Sequence, residues 1–302
     1  MANEKRVNAG TGSGRPHKKP KLGQNFLVDR GRAEKIVTAL GELATRNVVE
    51  IGPGRGILTD FLVQRAQRLI AIELDRVLAA QLRLKYARHS NVEIIEADVL
   101  STDLRNVVQR RPGPLLAGPP RKSSDPVPKA SVVGNLPYYI TSDILLHLLD
   151  FHDVIDQIVI MVQREVADRI AAKPGSRDYG LLSATAQLHA KVEKLFSLPP
   201  GAFSPPPAVH SAVIRLSIAP QFTALKVEPS EFIAFLKLSF AQKRKTLFNN
   251  LRTRYEPVSI RKALSTAKTR EDVRAEAVPL QKAAQIFRTL TGADQPVPAA
   301  QA

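Results

Sequence analysis

The chain has 302 residues, 44% of them hydrophobic, enough for one large core and a second smaller one. Its formal net charge of +16 calls for a polyanionic partner, with nucleic acid and an anionic membrane surface as the two candidates. No apolar run reaches membrane-spanning length, zero cysteines exclude disulfides, thiol nucleophiles and cysteine metal sites, and six scattered histidines suggest no metal cluster.

Residues 1–22 carry Lys5, Arg6, Arg15, Lys18, Lys19 and Lys21 among Gly and Ser, without the apolar core of a secretory signal. They are predicted to form a disordered basic arm, either phosphate-seeking or merely solvated, and their composition also fits an organellar transit peptide. Asn47 to Ile51 is predicted as a short apolar strand. Gly52-Pro53-Gly54-Arg55-Gly56 follows, then a helical pattern through Ile57, Leu58, Phe61 and Leu62. Strand, glycine turn and helix open a dinucleotide-type α/β fold, and the glycines let a ligand approach the backbone. A second strand, Leu69 to Ile72, ends in Glu73, about twenty residues past the first glycine, where an acid binds the two hydroxyls of a ribose. A third, Val92 to Glu96, leads to Asp98, whose carboxylate can accept from the amino group of an adenine. Glu50, Glu73 and Asp98 all fall at predicted strand ends, as ligand-binding acids or as solvated surface carboxylates.

The glycine spacing narrows the ligand. A dinucleotide fingerprint needs Gly-x-Gly-x-x-Gly, but here the third glycine comes one residue early and Ile57 occupies its place. A P-loop Lys-Ser/Thr pair is also missing. A nucleoside without a pyrophosphate fits better, and S-adenosyl-L-methionine is the commonest such cofactor in this architecture.

Arg111 to Lys129 carries six prolines among Gly, Ser and basic residues and is predicted to be an irregular insertion. Ala130 to Gly134 then reads as a strand and Ile140 to Leu149 as an amphipathic helix. Asn135-Leu136-Pro137-Tyr138 lies between them, at a strand's carboxyl end, where open α/β sheets bind ligands. Pro137 has no N–H and biases Leu136 away from helical angles. The Asn135 side-chain oxygen and the Leu136 carbonyl can each accept one N–H of an exocyclic amine, with Tyr138 offering its ring face to the heterocycle. Further on, Phe232, Phe235, Leu236 and Phe240 mark an apolar helix followed by Lys243, Arg244 and Lys245, a cluster that can hold an RNA backbone. Gly292 to Ala302 is predicted to be a frayed end.

Together these residues resemble the ribosomal RNA adenine dimethyltransferase family, from about Gly23 to Leu290. Gly23-Gln24-Asn25-Phe26-Leu27 is similar to its amino-terminal cofactor motif, Phe203-Ser204-Pro205-Pro206-Pro207-Ala208-Val209-His210-Ser211 to its Phe-x-Pro-x-Pro-x-Val-x-Ser loop, and Ala241 to Leu251 to the carboxy-terminal signature of its small-subunit members. The resemblance implies a Rossmann-like class I S-adenosylmethionine-dependent methyltransferase sheet with a smaller all-helical carboxy-terminal domain. The expected divisions are the arm 1–22, a catalytic domain 23–220 containing the insertion 111–129, a helical RNA-binding domain 221–291 and the tail 292–302. By similarity Asn25, Leu27, Gly52, Gly54, Glu73 and Asp98 would hold the cofactor, Asn135 would lie between cofactor and substrate, and Tyr138 and Phe203 would sandwich a flipped adenine. The implied reaction is dimethylation of two adjacent adenosines near the 3′ end of small-subunit rRNA, on naked RNA or an immature 30S particle. A cytoplasmic monomer needing neither metal nor membrane is expected. The competing readings are a large-subunit enzyme of the macrolide-resistance type, a nicotinamide oxidoreductase, and a non-catalytic ribosome-assembly factor. The chain departs from the family pattern at the insertion, at Ala208 and at Arg55.

Overall fold

The computed structural model describes residues 25–110 and 129–292. The arm 1–22, residues Gly23 and Gln24, nearly all of the insertion and all but the first residue of the predicted tail lie outside the described residues.

Seven strands form one sheet in the order β4-β3-β2-β5-β6-β9-β7. They are β2 (Asn47–Ile51), β3 (Arg68–Glu73), β4 (Val92–Glu96), β5 (Ala130–Asn135), β6 (Ile155–Gln163), β7 (Ala190–Leu198) and β9 (Ser211–Ile218). β4, β3, β2, β5 and β6 run parallel; β9 is antiparallel to both β6 and β7. Parallel strands covered on both faces need continuous apolar sequence, which Val-Val-Glu-Ile in β2 and the wholly buried β3 supply. Alternate residues then divide between two cores. Val49, Ile51, Ile70, Ile72 and Val132 pack on one face with α5 (Thr141–Leu149). Val48, Leu69, Val133, Val159 and Met161 pack on the other with α1 (Arg30–Thr38).

From β2 the chain moves outward through β3 and β4, then returns to place β5 on the other side of β2. The gap between the carboxyl ends of β2 and β5 is therefore the switch point of the sheet, where such folds leave a crevice. Two short strands, β1 (Phe26–Leu27) and β8 (Phe203–Ser204), pair antiparallel as a separate ribbon, with Leu27 opposite Phe203.

After β9 the described chain is helical: α8 (Phe222–Leu225), α9 (Pro229–Ser239), α10 (Leu247–Leu251), α11 (Pro257–Thr266) and α12 (Leu280–Thr291). Phe232, Phe235 and Phe287 form its aromatic centre, with ring centroids 5.4 to 6.0 Å apart. This core extends back across residue 220, taking in Tyr179 and, from α7 (Leu181–His189), Ala184 and Leu188. Two predicted helices are shorter than their patterns. The one after the glycine loop is only α2, Thr59–Leu62, and α5 begins at Thr141 because a 3-10 turn occupies Tyr138–Ile140.

Candidate active site

A cavity of about 1090 Å3, open mouth included, occupies the switch point. Its wall takes residues from the glycine loop, the ends of β3 and β4, the 25–27 segment and the whole of Asn135 to Tyr138. The glycine-lined hollow and the polar tetrad thus share one space.

The glycine-loop wall is tightly wired. Gly52 and Gly54 adopt φ of +63° and +58°, a region that side chains rarely enter. A Cβ at Gly54 would also lie 3.0 Å from the Phe26 ring, and that ring carries the Arg55 guanidinium 4.6 Å above it. Arg55, a departure from the family pattern, therefore braces the 25–27 segment against the loop. Glu73 is only 3% exposed. Its two oxygens accept from the backbone N–H groups of Gly54 and Asp75, both at 2.9 Å, so it ties the loop to the end of β3. Asp98, exposed at the rim, uses Oδ1 to cap the following turn through Leu100 N at 2.9 Å and leaves Oδ2 for a donor. Gly56 is held from below, its carbonyl accepting from the Tyr86 hydroxyl at 3.0 Å.

Glu50 is not a surface acid. It is the fourth residue of β2, 1% exposed, and its Oε2 accepts from the Thr59 hydroxyl at 2.7 Å. Burial, reinforced by the nearby Glu73 and Asp60 carboxylates, pushes its pKa up to about 8.

The facing wall is the Asn135 to Tyr138 turn. The Asn135 amide nitrogen donates to the Asn25 carbonyl at 2.9 Å, which orients the side chain and leaves Oδ1 with no donor among the described residues. Leu136 N donates to the Met161 carbonyl at 3.2 Å, pinning the turn to β6, while the Leu136 carbonyl receives no backbone donor among the described residues. The Thr141 hydroxyl donates to the Pro137 carbonyl at 3.0 Å. The Tyr138 hydroxyl hydrogen-bonds Ser211 Oγ at 2.6 Å, and burial raises the phenol pKa. Ser211 closes the proline-rich loop, yet no local signal marked it as the anchor of Tyr138.

Asn25, Leu27, Gly52, Gly54, Glu73, Asp98, Asn135, Leu136, Pro137 and Tyr138 all line the cavity. Phe203 does not. It is 3% exposed and packs with Leu27, Ile36 and Leu198 in the core under the β1–β8 ribbon. In this structure the expected ring sandwich is not formed, because pairing opposite Leu27 turns Phe203 into the apolar layer.

Comparison with known proteins identifies the chain. The family model described as ribosomal RNA adenine dimethylase matches residues 15–292. The chain belongs to the ribosomal RNA adenine dimethylase family. It is 59% identical, over 91% of its length and 95% of the relative's, to ribosomal RNA small subunit methyltransferase A of Koribacter versatilis (strain Ellin345). It is 55% identical to the protein of the same name in Acidobacterium capsulatum, over 90% of this chain and 91% of that one. Among solved structures it is similar to the 23S rRNA methyltransferase ErmE, at 26% identity and a TM-score of 0.62, covering 88% of this chain and all of that one. Membership in the dimethylase family removes the nicotinamide oxidoreductase reading. Among the described residues no group of His, Cys, Asp or Glu could hold a metal ion, and no helix is long and apolar enough to cross a membrane.

Proposed function

We propose that this adenine dimethylase transfers methyl groups from S-adenosyl-L-methionine to the exocyclic amines of two adjacent adenosines near the 3′ end of small-subunit rRNA, within a cytoplasmic immature 30S particle. One observation carries the reading: Asn135 Oδ1, which receives no donor among the described residues, and the carboxylates of Glu73 and Asp98 share one cavity at the switch point. The 59% identity to a small-subunit methyltransferase over nearly the whole chain favours that subunit over the large one.

The cavity suits the donor. Glu73 keeps lone pairs beyond those facing Gly54 and Asp75 and can accept ribose hydroxyls, while the free Asp98 oxygen can accept an adenine amine. Gly52 and Leu27 supply surface at the methionine end and beside the nucleoside. S-adenosyl-L-methionine supplies a methyl group on a positively charged sulfur, which leaves as a neutral thioether.

The chain's own residues prepare the acceptor. The target base leaves its stack to reach a closed site and lies against the Tyr138 ring, held in place by Ser211. Its two N–H bonds are accepted by Asn135 Oδ1 and the Leu136 carbonyl. If these acceptors lie out of the ring plane, the nitrogen pyramidalises and its lone pair, otherwise delocalised into the ring, points at the methyl carbon. Orientation then supplies most of the acceleration. On accepting the methyl group the nitrogen would become cationic and acidic and would lose its proton to water, so no residue of the chain is required as a strong base. Residues 23–220 form the catalytic part and residues 221–291 the RNA-binding part. The exposed Lys243, Arg244 and Lys245 take RNA phosphates, next to Arg177, whose carbonyl accepts from Lys243 Nζ at 3.3 Å.

The test is to map N6,N6-dimethyladenine in rRNA from cells with and without this protein, alongside methyl transfer by the purified chain to immature small and large subunits. Dimethylated small-subunit adenosines that vanish with the protein are expected. Marks in large-subunit RNA, or none, would overturn the assignment.

A further inference from the structure

Among the described residues, the exposed large apolar side chains are aliphatic with one exception, Tyr139, which is 63% exposed on the rim of the cavity. No hydrogen bond, ion pair or ring contact engages its side chain among the described residues. An aromatic ring left in water beside an opening is a ready stacking surface.

Its backbone is stiff. Tyr139 is the middle residue of the 3-10 turn Tyr138–Ile140. Pro137 precedes that turn, the Thr141 hydroxyl ties down the Pro137 carbonyl, and Tyr138 is anchored on Ser211. At three residues per turn, successive side chains diverge by about 120°. Tyr138 is accordingly drawn in toward β9 while Tyr139 stands outward at the mouth. The two Cα atoms are ~3.8 Å apart, so the two rings serve bases that are close neighbours along a strand.

We propose that Tyr139 is the stacking platform for the nucleotide beside the one in the cavity, a positioning residue for single-stranded RNA with an unstacked base next to the target adenosine. This rests on the proposed function above. Extruding one base strips its neighbour of a stacking face, and single-stranded RNA replaces lost stacking with aromatic side chains. A platform that accepts any π-face also suits an enzyme that must treat two adjacent adenosines in turn, each being the neighbour while the other is inside.

The experiment uses the full chain and immature 30S particles assembled on small-subunit rRNA that carries 2-aminopurine beside the target adenosine. Binding to the wild-type protein, and to Tyr139→Phe, should quench the fluorophore by stacking. Tyr139→Ala and Tyr139→Leu should lose the quench and raise KM for the particles roughly tenfold, the scale of one base–aromatic contact. Their S-adenosyl-L-methionine affinity without RNA should stay at the wild-type value. The leucine variant separates stacking from bulk: quench and KM unchanged in Tyr139→Leu would overturn the proposal. A wild-type protein that neither binds nor methylates these particles would overturn the proposed function itself and the platform with it, a result distinct from selective survival of the leucine variant.

Discussion

The two walls of the cavity are built on opposite plans. On the glycine-loop wall the polar groups already have partners: Glu73 places one oxygen on each of two backbone N–H groups, Gly56 is held by Tyr86, and Glu50 by Thr59. On the facing wall, Asn135 is bonded through its amide nitrogen and Tyr138 through its hydroxyl, but among the described residues Asn135 Oδ1 and the Leu136 carbonyl receive no donor. A donor of fixed shape suits a wall whose form is set beforehand. In the proposed reaction, a nitrogen whose hybridisation changes needs oriented atoms with nothing else to bind, since a satisfied acceptor would have to break a bond at each turnover.

Removing the open acceptor should have the largest effect. Asn135→Ala is expected to lower turnover about 100- to 1000-fold, the scale of a lost transition-state hydrogen bond, while cofactor affinity by calorimetry stays within a few-fold. Wild-type turnover in this variant would place the acceptor elsewhere. Glu73→Ala should act in the other direction, weakening cofactor binding by roughly tenfold to a hundredfold. It should also lower stability by about 1–3 kcal/mol in denaturant titration, because the buried Gly54 N–H and the part-buried Asp75 N–H lose their acceptor.

Glu50 gives a graded test of the prewired wall. Its folded-state pKa of about 8 lies above the ordinary 4.5, so between these values the folded protein holds a proton that the unfolded chain has released. Stability of the cofactor-free protein should therefore be full below about pH 4.5, fall as pH rises toward 8, and level off above it. Glu50→Gln, which keeps an acceptor for Thr59, should flatten that part of the curve in melts across the range. An unchanged slope would move the titration to another group. The smallest effect is expected from Ser211→Ala. Freeing the Tyr138 ring should raise KM for RNA about fivefold, the worth of one hydrogen bond, with cofactor affinity unmoved.

How much could be read beforehand depended on whether the signal was local. β2 and β4 have their predicted limits, Asn47–Ile51 and Val92–Glu96, because short apolar runs between turn residues define them. The first helix after the glycine loop and the start of α5 differed because 3-10 and turn geometry mimic helical periodicity over a few residues. Among the residues lining the cavity, Gly52, Gly54, Glu73, Asp98 and Asn135 could be picked out because each lies at the end of a strand or within three residues past it.

The sequence by itself determined the α/β class, the glycine loop, the acid offsets and the Asn135 to Tyr138 turn, all properties of stretches a few residues long. Only the tertiary structure decided that Asn25 orients Asn135 across 110 positions, that Ser211 anchors Tyr138 across 73, and that Glu50 is buried. It also decided that Phe203 faces the core, since its antiparallel partner Leu27 lies far away along the chain. Side-chain periodicity specifies which face a residue prefers, but which distant segment covers that face depends on strand order, and strand order is set by the packing of the whole sheet.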